Sequence, residues 1–233
     1  MTSLNVYNVN MQEVNFIRIP KCASSSIYAH IGNKNTITDE SMSGSQNYDQ
    51  AQTIARDWFD LHVFPGGSLL SWPYSHCTFS KAISGLGSGI LDNPSFAVCR
   101  NPYDRMVSQY FFNKKNLSSE HFETTFGAHN NDIEGLSNFI DYCVDNQDIG
   151  HLSQSFYLDV DTEINILRFE NLQNDFSGFV TSNNLTIDPT LPHLNENDLD
   201  SYTGSYMSYY TETSKNKVKE LWREDFERFG YAT

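Results

Sequence analysis

The 233-residue sequence predicts an α/β fold: a single domain over residues 1–233 whose central, mostly parallel sheet is flanked by helices on both faces. Two observations lead there. Short β-prone runs are followed by a turn and a helix-period segment, first near residue 20 and again near residue 100. Hydrophobic residues make up 39% of the chain and aromatics 14%, enough for a substantial core at this length. No internal repeat or long low-complexity tract divides the chain, so one domain is the economical reading.

Phe16, Ile17 and Ile19 suit a buried strand that Pro20 closes, and Ser24, Ser25 and Ser26 stand where caps belong, ahead of a helix carrying Ile27 and Ile31. The stretch 39–50 reads as a loop, and 51–64 has helical spacing and stops at Pro65. After a second loop, glycine-rich, at 84–89, residues 95–100 form a compact β-prone run, Asn101-Pro102 opens a turn, and 104–115 reads as a helix. Residues 134–146 make a further amphipathic helix, 163–172 a strand running into a turn, and 214–231 one long C-terminal helix.

The formal net charge of −14 argues against non-specific binding to nucleic acid or an anionic membrane, since both require a basic face. Its distribution says more. Residues 116–214 hold 17 acids and one base, Arg168, whereas nine of the 15 Lys and Arg lie between Arg18 and Lys115. A polyanionic ligand therefore belongs to the N-terminal half. No apolar run approaches the roughly 20 residues of a membrane span and the N-terminus lacks a signal-like pattern, so a soluble, cytoplasmic protein is expected. Cys22, Cys77, Cys99 and Cys143 are scattered singly and read as reduced thiols, not as a metal set or a disulfide framework.

In "RIPKCASSSIYAHI" (18–31) a strand, a tight turn and a helix start make a seat for an anion, because the first N–H groups of a helix lack partners and face the positive end of its dipole. Lys21 adds a point charge, Ala23 stays small where backbone must approach, and Ser24 to Ser26 add amides and hydroxyls. The plainer reading is a capped helix. No Walker A pattern is present. In "CRNPYDRMVSQY" (99–110), Arg100 closes a strand and Ser108 sits one helical turn past Asp104, so a guanidinium and a hydroxyl can share a phosphate. The plainer reading makes Arg100 a strand-end ion pair and Ser108 an ordinary helix position.

Taken together, "IPKCASSSI" resembles the 5′-phosphosulfate loop, and "FAVCRNPYDRMVSQY" the 3′-phosphate motif, of sulfotransferases that use 3′-phosphoadenosine 5′-phosphosulfate (PAPS). "HLSQSFYLDV", "ILRFENLQNDF" and the segment from Pro192 to Tyr231 look like later parts of the carbohydrate O-sulfotransferase branch. Residues 32–70 and 116–148 carry no such likeness, and acceptor specificity is expected there. Ala23 departs from the pattern, since many relatives have glycine at that place. The resemblance implies a P-loop-like sheet, with PAPS-binding elements at 16–31 and 95–115. It assigns Lys21, Cys22, Ala23 and Ser24 to Ser26 to the 5′-phosphosulfate, and Arg100 and Ser108 to the 3′-phosphate. It also implies PAPS as donor, adenosine 3′,5′-bisphosphate as product, a carbohydrate or other hydroxyl acceptor, and no metal.

A sugar hydroxyl needs a general base near its proton. Among seven histidines, His76 resembles the one that this branch places ahead of the 3′-phosphate motif, with His62 and His151 in reserve. A neutral imidazole, with a pKa of about 6.5, accepts a proton at pH 7. His151 and Gln154 are alternatively acceptor-orienting, and His62 is a further candidate for that task. Arg168 and Glu170 read as a structural pair at a strand end. A P-loop-type nucleoside or sugar kinase and a non-catalytic nucleotide-binding module are the rival readings.

Overall fold

A computed structural model of the chain describes residues 6–9, 12–23, 26–27, 30, 78–80, 83, 88–146, 151–191 and 204–233. Among the described residues four strands form one sheet in the order β1 (Val6–Val9), β2 (Gln12–Ile17), β3 (Ser95–Cys99), β4 (Asn165–Arg168). β2, β3 and β4 run parallel, with Phe16 opposite Phe96 and Ala97 opposite Ile166, and β1 adds an antiparallel edge. All five residues of β3 are buried, as expected for a parallel strand covered on both faces. Phe96 stacks on Phe16 at 4.7 Å and meets Phe179 at 4.6 Å, which seats α5 (Leu172–Ser182) against the sheet.

The helices between β3 and β4 are α1 (Pro102–Asn116), α2 (Ser119–Phe126), α3 (Asp132–Asn146) and the short α4 (Gln154–Tyr157). α1 starts two residues before the sequence pattern suggests. Asn101 caps it by accepting from the Tyr103 N–H, and Pro102 occupies the first turn, where its missing N–H costs nothing. Every residue from Pro102 to Phe111 is buried, because α1 is covered by α3 and by the C-terminal helices as well as by the strand-end segments. Two clusters result: one around β2, β3, β4 and α5, the other around α1, α3 and the C-terminus.

The stretch 163–172, read as a strand running into a turn, is β4 at 165–168 followed by a 3-10 turn at Phe169–Asn171 that leads directly into α5. The structure corrects two expectations, the undivided C-terminal helix and the Arg168–Glu170 pair. The single helix over 214–231 is two, α6 (Glu212–Leu221) and α7 (Arg223–Phe229). They part at Trp222, whose backbone leaves the helical region (φ −118°, ψ 35°) while its indole is buried and donates to the His151 carbonyl at 3.0 Å. Arg168 and Glu170 do not pair. Arg168 donates to the Phe229 carbonyl, and Glu170 accepts from the Asn101 N–H at 2.7 Å and the Tyr231 hydroxyl at 2.9 Å.

Ser24, Ser25, His62, His76, Cys77 and the helix read over 51–64 lie outside the described residues. Among the described residues no helix is long and apolar enough to cross a membrane.

Candidate functional site

The loop after β2 turns sharply at two non-glycine residues, Lys21 (φ 63°) and Ala23 (φ 55°). Left-handed backbone costs an L-residue about 1–2 kcal/mol, so the surroundings must hold it. They do so through two of the loop's carbonyls and one side chain. Arg105 Nε donates to the Pro20 carbonyl at 3.0 Å, Arg100 Nη1 donates to the Lys21 carbonyl at 3.1 Å, and the Cys22 thiol donates to Gln154 Oε1 at 3.3 Å. The Ile27 N–H then donates to the Ala23 carbonyl at 3.2 Å, a helical bond after the turn.

Because β2 and β3 are adjacent and parallel, their carboxyl ends bring this loop beside Arg100. Asp104, Ser108 and Phe112 follow one another at four-residue spacing and form one stripe along α1, and Arg100, just before the helix cap, reaches its first member, Asp104. Asp104 grips Arg100 with both oxygens, at 2.8 Å to Nε and 3.1 Å to Nη2, and the guanidinium lies over the Phe169 ring at 4.1 Å. The Lys21 ammonium sits over the Phe112 ring at 4.3 Å. The loop therefore spans the stripe, its backbone at Arg100 and its charge one turn past Ser108. The Ser108 hydroxyl, nearly buried, has no hydrogen-bond partner among the described residues.

A buried polar layer lies beneath. Gln154, 0% exposed, accepts from the Arg100 N–H at 2.8 Å and donates to the Arg100 carbonyl at 2.9 Å. Asp225 accepts from the N–H groups of Gln154 (2.7 Å) and Ser155 (2.8 Å). Arg105, also fully buried, donates to the Leu152 carbonyl at 2.9 Å and lies over Trp222 at 4.5 Å. Burial pushes the Cys22 thiol up to about 12 against the opposing pull of Arg105 and Arg100, so it stays protonated and able to donate. The His151 ring lies edge-on to Phe139 at 5.2 Å and Tyr142 at 6.0 Å, in the helical core.

Of the residues singled out in the sequence, Lys21, Cys22, Ala23, Arg100 and Ser108 come together here. Gln154 joins them from below, its amide engaged entirely with protein. Asp104, Arg105 and Asp225 were not anticipated. Asp104 had a usable signal, an acid four residues after Arg100, whereas Asp225 sits among surface charges of α7 and meets partners about 70 residues away. Comparison with protein-family models, curated proteins and solved structures finds no match to this chain.

Proposed function

We propose that this chain is a PAPS-dependent O-sulfotransferase built on a P-loop-like sheet, moving a sulfuryl group to a hydroxyl of a carbohydrate or similar acceptor. The observation that carries the reading is the convergence of the two motif segments. The left-handed loop at Lys21–Ala23 and the Arg100–Ser108 segment, about 80 residues apart in sequence, meet through the Arg100 bond to the Lys21 carbonyl. A donor carrying phosphates at both ends of a nucleoside fits a site with one cation on the loop, one at the strand end and a hydroxyl on the helix beside them.

When bound, the donor supplies a sulfuryl group already activated by its anhydride link to phosphate. Lys21 and the loop amides hold the 5′ end, and their positive field favours the charge that grows on the bridging oxygen as transfer proceeds. Arg100 and Ser108 hold the 3′-phosphate, Arg100 being kept in one orientation by Asp104. His76 takes the proton of the acceptor hydroxyl, with His62 and His151 as reserve candidates for base or for acceptor contact. The scheme calls for no metal.

Titration calorimetry with adenosine 3′,5′-bisphosphate, followed by transfer from labelled PAPS to a panel of sugars, tests this. The expected result is micromolar-range binding, with transfer that Lys21→Ala slows by about 10²- to 10³-fold, the scale of removing one oxyanion-type donor. Binding of ATP with magnesium but not of the bisphosphate would point to a kinase instead. Binding with no transfer to any acceptor would leave a nucleotide-binding module.

A further inference from the structure

Gln154 uses its whole hydrogen-bonding capacity. A primary amide has two acceptor sites and two N–H donors. Here Oε1 accepts from the Arg100 N–H and the Cys22 thiol, and Nε2 donates to the Arg100 carbonyl and, at 3.3 Å, to Asp225. One side chain thus touches the loop after β2 and the segment after β3 at once. It is itself fixed, because Asp225 accepts from the main-chain N–H of Gln154 and of Ser155, while Arg105 ties the neighbouring Leu152 carbonyl to that of Pro20.

We propose that Gln154 is the positioning residue that holds the two anion-binding segments in register, so that one ligand with an anionic group at each end is gripped by both. This rests on the nucleotide reading above. It assigns Gln154 to the frame of the site, in place of direct contact with an acceptor. Asp225, on α7, is its anchor, which extends the frame to the C-terminal helices.

The physical consequence is a chelate effect. A ligand held at two points gains from the second contact only if the two points stay at the right separation. The test uses three nucleotides: adenosine 3′,5′-bisphosphate, which needs both segments, and adenosine 3′-monophosphate and adenosine 5′-monophosphate, which each need one. Affinities are measured calorimetrically on the full chain and corrected for the folded fraction. Gln154→Met should weaken the bisphosphate by about tenfold or more while each monophosphate changes by less than about threefold, since the hydrogen bonds lost serve alignment and not contact with the ligand. Cys22→Ala cuts only the loop-side bond and should show the same pattern at about threefold, which serves if Gln154→Met does not fold. Equal losses for all three nucleotides, or none, would overturn the inference and leave Gln154 with a purely structural role. A parent protein that binds none of them would instead overturn the nucleotide reading itself.

Discussion

Ala23 stands where the backbone is left-handed, and that explains why a glycine suits this place better than the residue present. Left-handed strain of about 1–2 kcal/mol outweighs the extra unfolded-state entropy of glycine, about 0.4–1 kcal/mol, so Ala23→Gly should stabilise the protein by up to about 1 kcal/mol in urea denaturation. A loss of stability would mean that the Ala23 methyl contributes packing which exceeds the strain. Arg100 carries two roles that one substitution confounds. Arg100→Ala removes the guanidinium that the buried Asp104 accepts from and should cost about 3–5 kcal/mol, whereas replacing both members, as in Arg100→Met with Asp104→Leu, should recover most of that. Bisphosphate binding should stay lost in both variants. A double variant that regained binding would confine Arg100 to the strand-end pair. Lys21, Arg100 and Ser108 were legible because short local patterns carry them. The Gln154–Asp225 contact was not, since nothing in the local sequence around either residue announces a partner 71 positions away.

Elements with strong periodicity were read with nearly their true ends. α3 covers 132–146 against the 134–146 read from the sequence, because Leu136, Phe139, Ile140 and Cys143 form an unbroken buried face. Short elements escaped. β1 and α2 have too few turns or alternations to stand out, and the break between α6 and α7 follows from the contacts of the Trp222 indole, a tertiary cause. Packing between helices sets limits that propensity alone would miss. At Gly135 on α3 an added methyl would lie 2.4 Å from the Tyr110 hydroxyl and 2.7 Å from the His129 ring. Tyr110 is fully buried and its hydroxyl donates to Asp132 at 2.8 Å, so it has little room to move aside. Helix propensity favours alanine by about 1 kcal/mol, but overpacking costs about 1–3 kcal/mol, so Gly135→Ala should destabilise the fold. Denaturation midpoints settle the sign. Tyr110→Phe in the same background should restore part of the loss, since the clashing oxygen is gone, and no restoration would place the strain at His129 instead.

Across the whole molecule, the three parallel strands and their helices bury several thiols and phenols, and these make the fold lose stability at alkaline pH. Burial raises the pKa of Cys22, Cys99, Tyr103, Tyr110, Tyr157, Tyr210 and Tyr231, each held neutral in the native state. The sign follows from linkage. In the unfolded chain thiols lose their protons near pH 8.5–9 and phenols near pH 10, while the native groups keep theirs, so the unfolded state binds fewer protons and stability falls as pH rises. Each such group contributes a slope of about 1.4 kcal/mol per pH unit between its unfolded and folded pKa. Cys22 isolates the effect, because its window runs from 9.0 to about 12. At pH 7.5, Cys22→Ala should be less stable than the parent by about 1–2 kcal/mol, from the lost thiol bond to Gln154 and a small cavity. Above pH 9 the parent should lose stability with an extra slope that the variant lacks, so that the two stability curves, measured by urea denaturation at half-unit steps, cross near pH 10. Curves that stay parallel to pH 11 would mean that Cys22 ionises in the native state at its ordinary value. The layer beneath the loop would then be open to water, and the frame that Gln154 provides would be looser than its hydrogen bonds imply.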